Sequence, residues 1–160
     1  MTRILGIDPG NHVTGLGVVE KNKDRLTCIY YGEIRSPKDL SLPARLVNIY
    51  QKLQEVIDET MPEAVAIEGI FYGKNPDSLI KQGQVRGVAI LAGAQGGRSV
   101  YEYSPLEVKK AVVGYGRAEK SQVQIMVKSI LALEAIPPED AADALAVAIC
   151  HANNSRMAFV

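Results

Sequence analysis

Four acidic residues, Asp8, Glu68, Asp140 and Asp143, carry most of the chemistry that this sequence offers. Asp8 ends the apolar run Ile4-Leu5-Gly6-Ile7 and meets Pro9-Gly10, so a β-type stretch is halted at once by turn residues. Its carboxylate therefore belongs at the carboxyl end of a strand, where α/β sheets hold their sites. Glu68 closes Ala64-Val65-Ala66-Ile67, a run apolar enough for a parallel strand covered on both faces. Asp140 and Asp143 stand three residues apart in Glu139-Asp140-Ala141-Ala142-Asp143-Ala144-Leu145. On a helix they lie about 60° from one another and share a face.

Taken singly, each acid has an ordinary use. Asp8 suits a turn, and Glu139 and Asp140 suit a helix N-terminus, where the macrodipole favours them. Asp143 fits less well, being a weak helix former among Ala141, Ala142, Ala144, Ala146 and Ala148. Gathered in one place, four carboxylates would repel and raise at least one pKa unless divalent cations neutralised them. An all-oxygen donor set suits Mg²⁺ or Mn²⁺ and not zinc. Two such ions about 3.5–4 Å apart are a known device for in-line displacement at phosphorus. Jointly, the metal reading outweighs the four ordinary ones, provided the fold brings the acids together.

Lys109, Lys110, Arg117, Lys120 and Lys128 form a basic set around Gly114-Tyr115-Gly116, in a segment whose only acids are Glu107 and Glu119. Phosphate contact and a solvated helix face are equally good uses for any one of them. Phe71-Tyr72-Gly73-Lys74 follows the Glu68 run directly. Aromatics in such a loop suit stacking on an unpaired base, or else plug the loop against the domain.

The elements that must position these groups follow in order. Val13 to Glu20 and Arg25 to Ile34 continue the Asp8 strand as an antiparallel meander with a polar corner at Lys21–Asp24. Gly15 and Gly17 alternate in the second run, marking either a close approach or a bulge. Leu46, Ile49, Tyr50, Leu53, Val56 and Ile57 make one helical stripe, stopped by Pro62. Ser78 to Gln95 predicts a second helix rich in small residues. Its Gly83 and Gly87 share a face that fits tight docking on the sheet or a seam with a second copy equally well. A strand over Ser99–Tyr103 precedes a helix announced by Ser104-Pro105-Leu106-Glu107, and two further helices follow, the last over Glu139–Ala152. The expectation is a single domain over residues 1–160, an α/β fold with three antiparallel and two parallel strands and helices on both faces.

Bulk properties narrow the partners. Eighteen basic and 18 acidic residues give a formal net charge of zero, so nucleic-acid binding must rest on a local patch. Cys28 and Cys150 lie far apart without zinc-type spacing and read as reduced, buried thiols. There is no stretch of leader type and no apolar run long enough for a bilayer, which predicts a cytoplasmic protein with no membrane partner.

Several of these segments, in order along nearly the whole chain, resemble one family. They are Gly6-Ile7-Asp8-Pro9-Gly10 with Thr14-Gly15, Ala66-Ile67-Glu68, Gly83-Gln84-Val85-Arg86-Gly87, Val112-Val113-Gly114 through Ala118-Glu119-Lys120-Ser121-Gln122-Val123, and Asp140-Ala141-Ala142-Asp143-Ala144-Leu145-Ala146. The family is RuvC, the bacterial Holliday junction resolvases of ribonuclease H-like fold. The resemblance implies an endonuclease that resolves four-way DNA junctions in recombination and repair. Asp8, Glu68, Asp140 and Asp143 would then be an acidic tetrad for two Mg²⁺ ions, which Mn²⁺ can replace. It further implies that Lys120 assists catalysis, that Lys109, Lys120, Phe71 and Lys74 meet DNA, and that the 78–95 helix is the seam of a homodimer. A junction branch-migration helicase complex is the implied partner.

Overall fold

The computed structural model describes residues 1–70 and 75–154. Its elements are β1 (Thr2–Asp8), β2 (Val13–Asn22), β3 (Arg25–Arg35), α1 (Leu42–Thr60), β4 (Ala64–Glu68), α2 (Pro76–Ala94), β5 (Ser99–Tyr103), α3 (Pro105–Val113), α4 (Lys120–Ile130) and α5 (Glu139–Ala152). They build one five-stranded sheet in the order β3-β2-β1-β4-β5. β1, β2 and β3 form the expected antiparallel meander, while β4 and β5 run parallel to β1.

Alternation along each strand sorts the core into two layers. Leu5, Ile7, Leu16, Val18, Val65 and Ile67 face α1 and α2. Ile4, Val19, Ala66 and Tyr103 face the other way, toward α3, α4 and α5. α5 is the most deeply buried helix, with ten of its 14 residues inside. Its alanine-rich composition follows from this position, because only small side chains let a helix axis lie so close to a sheet.

The strand glycines make room for α5. A Cβ on Gly6 would strike the carbonyl of Ala144, and one on Gly15 would strike the carbonyl of Asp140. A Cβ on Gly17 would come within 2.7 Å of the Leu145 side chain. The alternation of Gly15 and Gly17 is therefore the signature of a close helix approach. The register irregularity of β2 falls elsewhere, between Val18 and Val19.

Some boundaries differ from the sequence reading for local reasons. The polar corner shrinks to Lys23-Asp24, with Lys23 at a left-handed φ of 57°, so β2 and β3 gain residues. α2 starts at Pro76 and not Ser78, because the Asn75 side chain accepts from the Asp77 N–H at 3.0 Å and proline preorganises the first turn. α1 ends at Thr60, two residues before Pro62, with Met61 left-handed at φ 50°. Cys150 is buried as expected, whereas Cys28 is only partly buried.

Candidate active site

β1 and β4 end side by side. Ile7 pairs with Ile67 in parallel register, so Asp8 and Glu68, the last residue of each strand, emerge as neighbours on the α5 face. Burial and mutual charge hold the Asp8 carboxyl far above the ordinary carboxylate range, and Glu68 accepts a hydrogen bond from it. Burial is the larger cause for both acids, and the pair is a site for one shared proton in the absence of metal.

α5 delivers the other two acids. Packed on Gly6 and Gly15, it places its first turns directly over the end of β1. One carboxylate oxygen each from Asp8, Asp140 and Asp143 lies within 4.8 Å of the others. Burial, with the negative charge of Asp8 next in weight, raises Asp143 to about 7. Asp140 is raised as well, again chiefly by burial. A set of partly buried carboxylates whose own repulsion opposes ionisation is the donor chemistry that hard divalent cations satisfy.

Asp8, Glu68 and Asp143 line a cavity of about 360 Å³, together with Lys109 from α3, Lys120 from α4 and Gln82 from α2. Lys120 opens α4, with its Nζ 2.8 Å from Glu139 Oε1 and 3.9 Å from Asp143 Oδ2. A lysine in the first turn opposes the helix macrodipole, so its placement serves the acids opposite and not α4 itself. The charge of Lys109 reaches Glu68, favouring its ionised form. The cavity thus gathers carboxylates and two cationic side chains around one space, donor chemistry suited to divalent cations and to a phosphate.

Residues 4–151 match the model of the family described as crossover junction endodeoxyribonuclease RuvC. The chain belongs to the RuvC family. The RuvC of Syntrophomonas wolfei is 51% identical over 156 residues, covering 97% of this chain and 91% of that one. The RuvC of Caldanaerobacter subterraneus is 52% identical over 156 residues, covering 97% and 94%. Among solved structures, Thermus thermophilus RuvC in complex with Holliday junction substrate superposes with a TM-score of 0.88 at 35% identity, covering 95% of this chain and 93% of that chain. The yeast mitochondrial Holliday junction resolvase Ydc2 shares the fold, with a TM-score of 0.67 at 14% identity over 93% of this chain and 77% of that one.

Within this RuvC fold, the structure brings together all four acids with Lys109 and Lys120, the two of the basic set that line the cavity. Phe71 and Lys74 lie outside the described residues. Three contributors were missed. Glu139, read as an ordinary N-terminal acid, holds Lys120. Gln82 lines the cavity and donates from Nε2 to the Pro9 carbonyl at 3.3 Å, bracing the turn after Asp8. Glu33 contacts the start of α5 from β3. A polar residue on the sheet-facing side of α2 was a usable signal for Gln82; Glu33 had none without the strand register.

Proposed function

We propose that this chain is a crossover junction endodeoxyribonuclease, a single domain over residues 1–160 that resolves four-way DNA junctions by paired nicks in recombination and repair. The observation that carries this reading is the convergence of Asp8, Asp140 and Asp143, with Glu68 beside Asp8, at one end of the sheet. Asp8, Glu68, Asp140 and Asp143 would hold two Mg²⁺ ions, with Mn²⁺ able to replace them. When bound, such ions supply Lewis-acid activation of water and of the phosphodiester.

The chain's own residues do the rest. The carboxylates give up their shared protons and fix the reacting end of the cavity. Lys120 presents a cation toward charge that builds on the phosphate during displacement, and Lys109 holds the strand from the adjacent wall. Phe71 and Lys74 extend the DNA contact by the family resemblance. In-line attack leaves 5′-phosphate and 3′-hydroxyl ends, which ligation can rejoin.

A four-way junction has near two-fold symmetry, and paired cutting calls for two sites related the same way. α2 offers the seam: Ile80 and Leu91 are 61% and 55% exposed, and an added Cβ at Gly87 would meet nothing within 4 Å. The reading is a homodimer joined along this helix, working in the cytoplasm with a junction branch-migration helicase complex. Among the described residues, no helix is long and apolar enough to cross a membrane.

An end-labelled four-way junction, incubated with the protein with and without Mg²⁺ and resolved on a denaturing gel, tests the reading. Symmetric nicks that require Mg²⁺ and vanish in Asp8→Asn, with junction binding kept, are the expected result. An intact junction under every metal condition would leave a binding module and no nuclease.

A further inference from the structure

One carboxylate beside the cluster is not among the four. Glu33 lies on β3, its side chain only 11% exposed. Strand register places it in one row across the sheet, opposite Gly15 of β2, which in turn stands opposite Asp8 of β1. Gly15 leaves the middle of that row open, and the start of α5 drops into the gap, so that a Cβ there would strike the Asp140 carbonyl. Glu33 Oε1 accepts a hydrogen bond from the backbone N–H of Asp140 at 3.2 Å. Its other oxygen, Oε2, is held by Arg35 Nη2 at 2.7 Å.

This contact answers a need of α5. The first N–H groups of a helix have no partner within it and call for an acceptor from outside. α1, α2 and α3 take theirs from the adjacent side chains of Ser41, Asn75 and Ser104. α5 begins after Pro138, and no side chain at that cap position makes a cap hydrogen bond. The acceptor is instead Glu33, 107 residues away in sequence.

We propose that Glu33 is a positioning residue of the metal site, a helix cap supplied by a neighbouring strand that fixes the first turn of α5, and with it Asp140 and Asp143, over Asp8. The proposal rests on the reading that these acids bind divalent metal. Gly15 sets how closely α5 approaches the sheet, whereas Glu33 sets where its first turn sits along the sheet edge. Arg35 turns the Glu33 carboxylate toward the backbone N–H and offsets the repulsion between Glu33 and Asp140. Without the cap the first turn frays, and Asp140 no longer arrives preorganised; loss of outer partners that orient metal-binding groups typically lowers metal affinity about 10–100-fold.

The test uses the full chain with Glu33→Met, which keeps the length of the side chain without an acceptor, and Glu33→Gln, which keeps an acceptor oxygen without the charge. Two readouts are independent of cleavage: hydrogen exchange of the Asp140 amide, and the Mg²⁺ concentration at the midpoint of a thermal-shift titration. In Glu33→Met the amide is expected to exchange at least about tenfold faster and the Mg²⁺ midpoint to rise about tenfold, while Glu33→Gln stays within about threefold of wild type. A wild-type Mg²⁺ midpoint in Glu33→Met overturns the proposal. So does a Glu33→Gln variant as impaired as Glu33→Met, since charge and not capping would then be the operative property. Junction cleavage is scored separately: a wild-type chain that binds Mg²⁺ but does not cut sinks the nuclease reading, and Glu33 is still judged by exchange and midpoint.

Discussion

Gly6 of β1 and Ala144 of α5 meet backbone to backbone, with no side chain between strand and helix. The contact lies two residues before Asp8 and one after Asp143, so it sets how near the two carboxylates come. Gly6→Ala would drive a methyl group into the Ala144 carbonyl, and neither backbone can turn aside as a side chain could. The expected result is destabilisation of about 1–3 kcal/mol, the range for overpacking a core. Cleavage is expected to fall further than folding, and weakened Mg²⁺ binding in the surviving folded fraction, measured by thermal shift, would show that α5 had moved.

The proton balance of the acids predicts how stability depends on pH without metal. Asp143 sits near 3.8 in an unfolded chain and is raised to about 7 in the folded one, and Asp8 is raised beyond that. The folded state therefore holds protons that the unfolded state has released. Stability is fully present below about pH 4 for these groups and is lost as pH rises through about 7 and above. In EDTA, the melting temperature should fall from about pH 5 to about pH 8. Mg²⁺ binds the ionised carboxylates, so the stabilisation it adds should be larger at the higher pH. A melting temperature that rises with pH in EDTA would contradict the crowding of these groups.

The same repulsion separates stability from activity in single variants. Asp143→Asn removes a partly buried negative charge facing Asp8. In EDTA near pH 8 the variant should melt higher than wild type, and in Mg²⁺ it should lose that advantage. Cleavage of a labelled junction should drop by roughly a hundredfold or more, the scale of losing a preorganised electrostatic group at a reacting phosphate. Lower stability in EDTA would mean that Asp143 is held by partners and not opposed by neighbours.

Much of this site was legible before any coordinates. Asp8 and Glu68 each end an apolar run at a glycine-containing turn, and that pattern locates a residue at a strand's carboxyl end whatever the rest of the fold. Asp143 stood out because an aspartate on an alanine face lacks a local reason. Glu33 and Gln82 were hidden for a different cause. Their roles depend on strand register and on the face a helix turns to the sheet, which are set by tertiary packing and not by neighbours in sequence. Gly15 and Gly17 lie between these cases: sequence limits them to a close approach or a bulge, and the position of α5 decides.

Lys120 offers a case where activity should fall while stability stays nearly unchanged. Its ion pair with Glu139 is well exposed, the lysine side chain at 64% and the glutamate at 50%, so removing it should change stability by no more than about 1 kcal/mol. The hydrogen bond to Glu139, and then the charge of Asp143, raise its pKa and keep it cationic. Lys120→Met should cut the rate of junction cleavage about 10²–10³-fold at saturating Mg²⁺ while leaving junction binding within a few-fold. Glu139→Gln, which frees the ammonium, should leave the rate close to wild type. If the two variants lose equal activity, Lys120 is serving Glu139 and α5 and not the phosphate.

Gly87 separates a helix that docks only on its own sheet from one that meets a second copy. Val85, Ala89 and Ala92 of α2 are buried against the sheet, while Gly87 is exposed and a Cβ there touches nothing within 4 Å. In an isolated chain, Gly87→Ala should therefore add up to about 1 kcal/mol of stability from helix propensity alone. In a dimer packed along Ile80, Gly87 and Leu91, a larger group meets the partner helix twice, once from each copy. Gly87→Leu should raise the dimer dissociation constant on the order of a hundredfold or more, read by sedimentation equilibrium. Paired nicking should give way to single nicks in the same samples, because two sites held by one symmetric seam are lost together. An unchanged dissociation constant would place the dimer contact on another face.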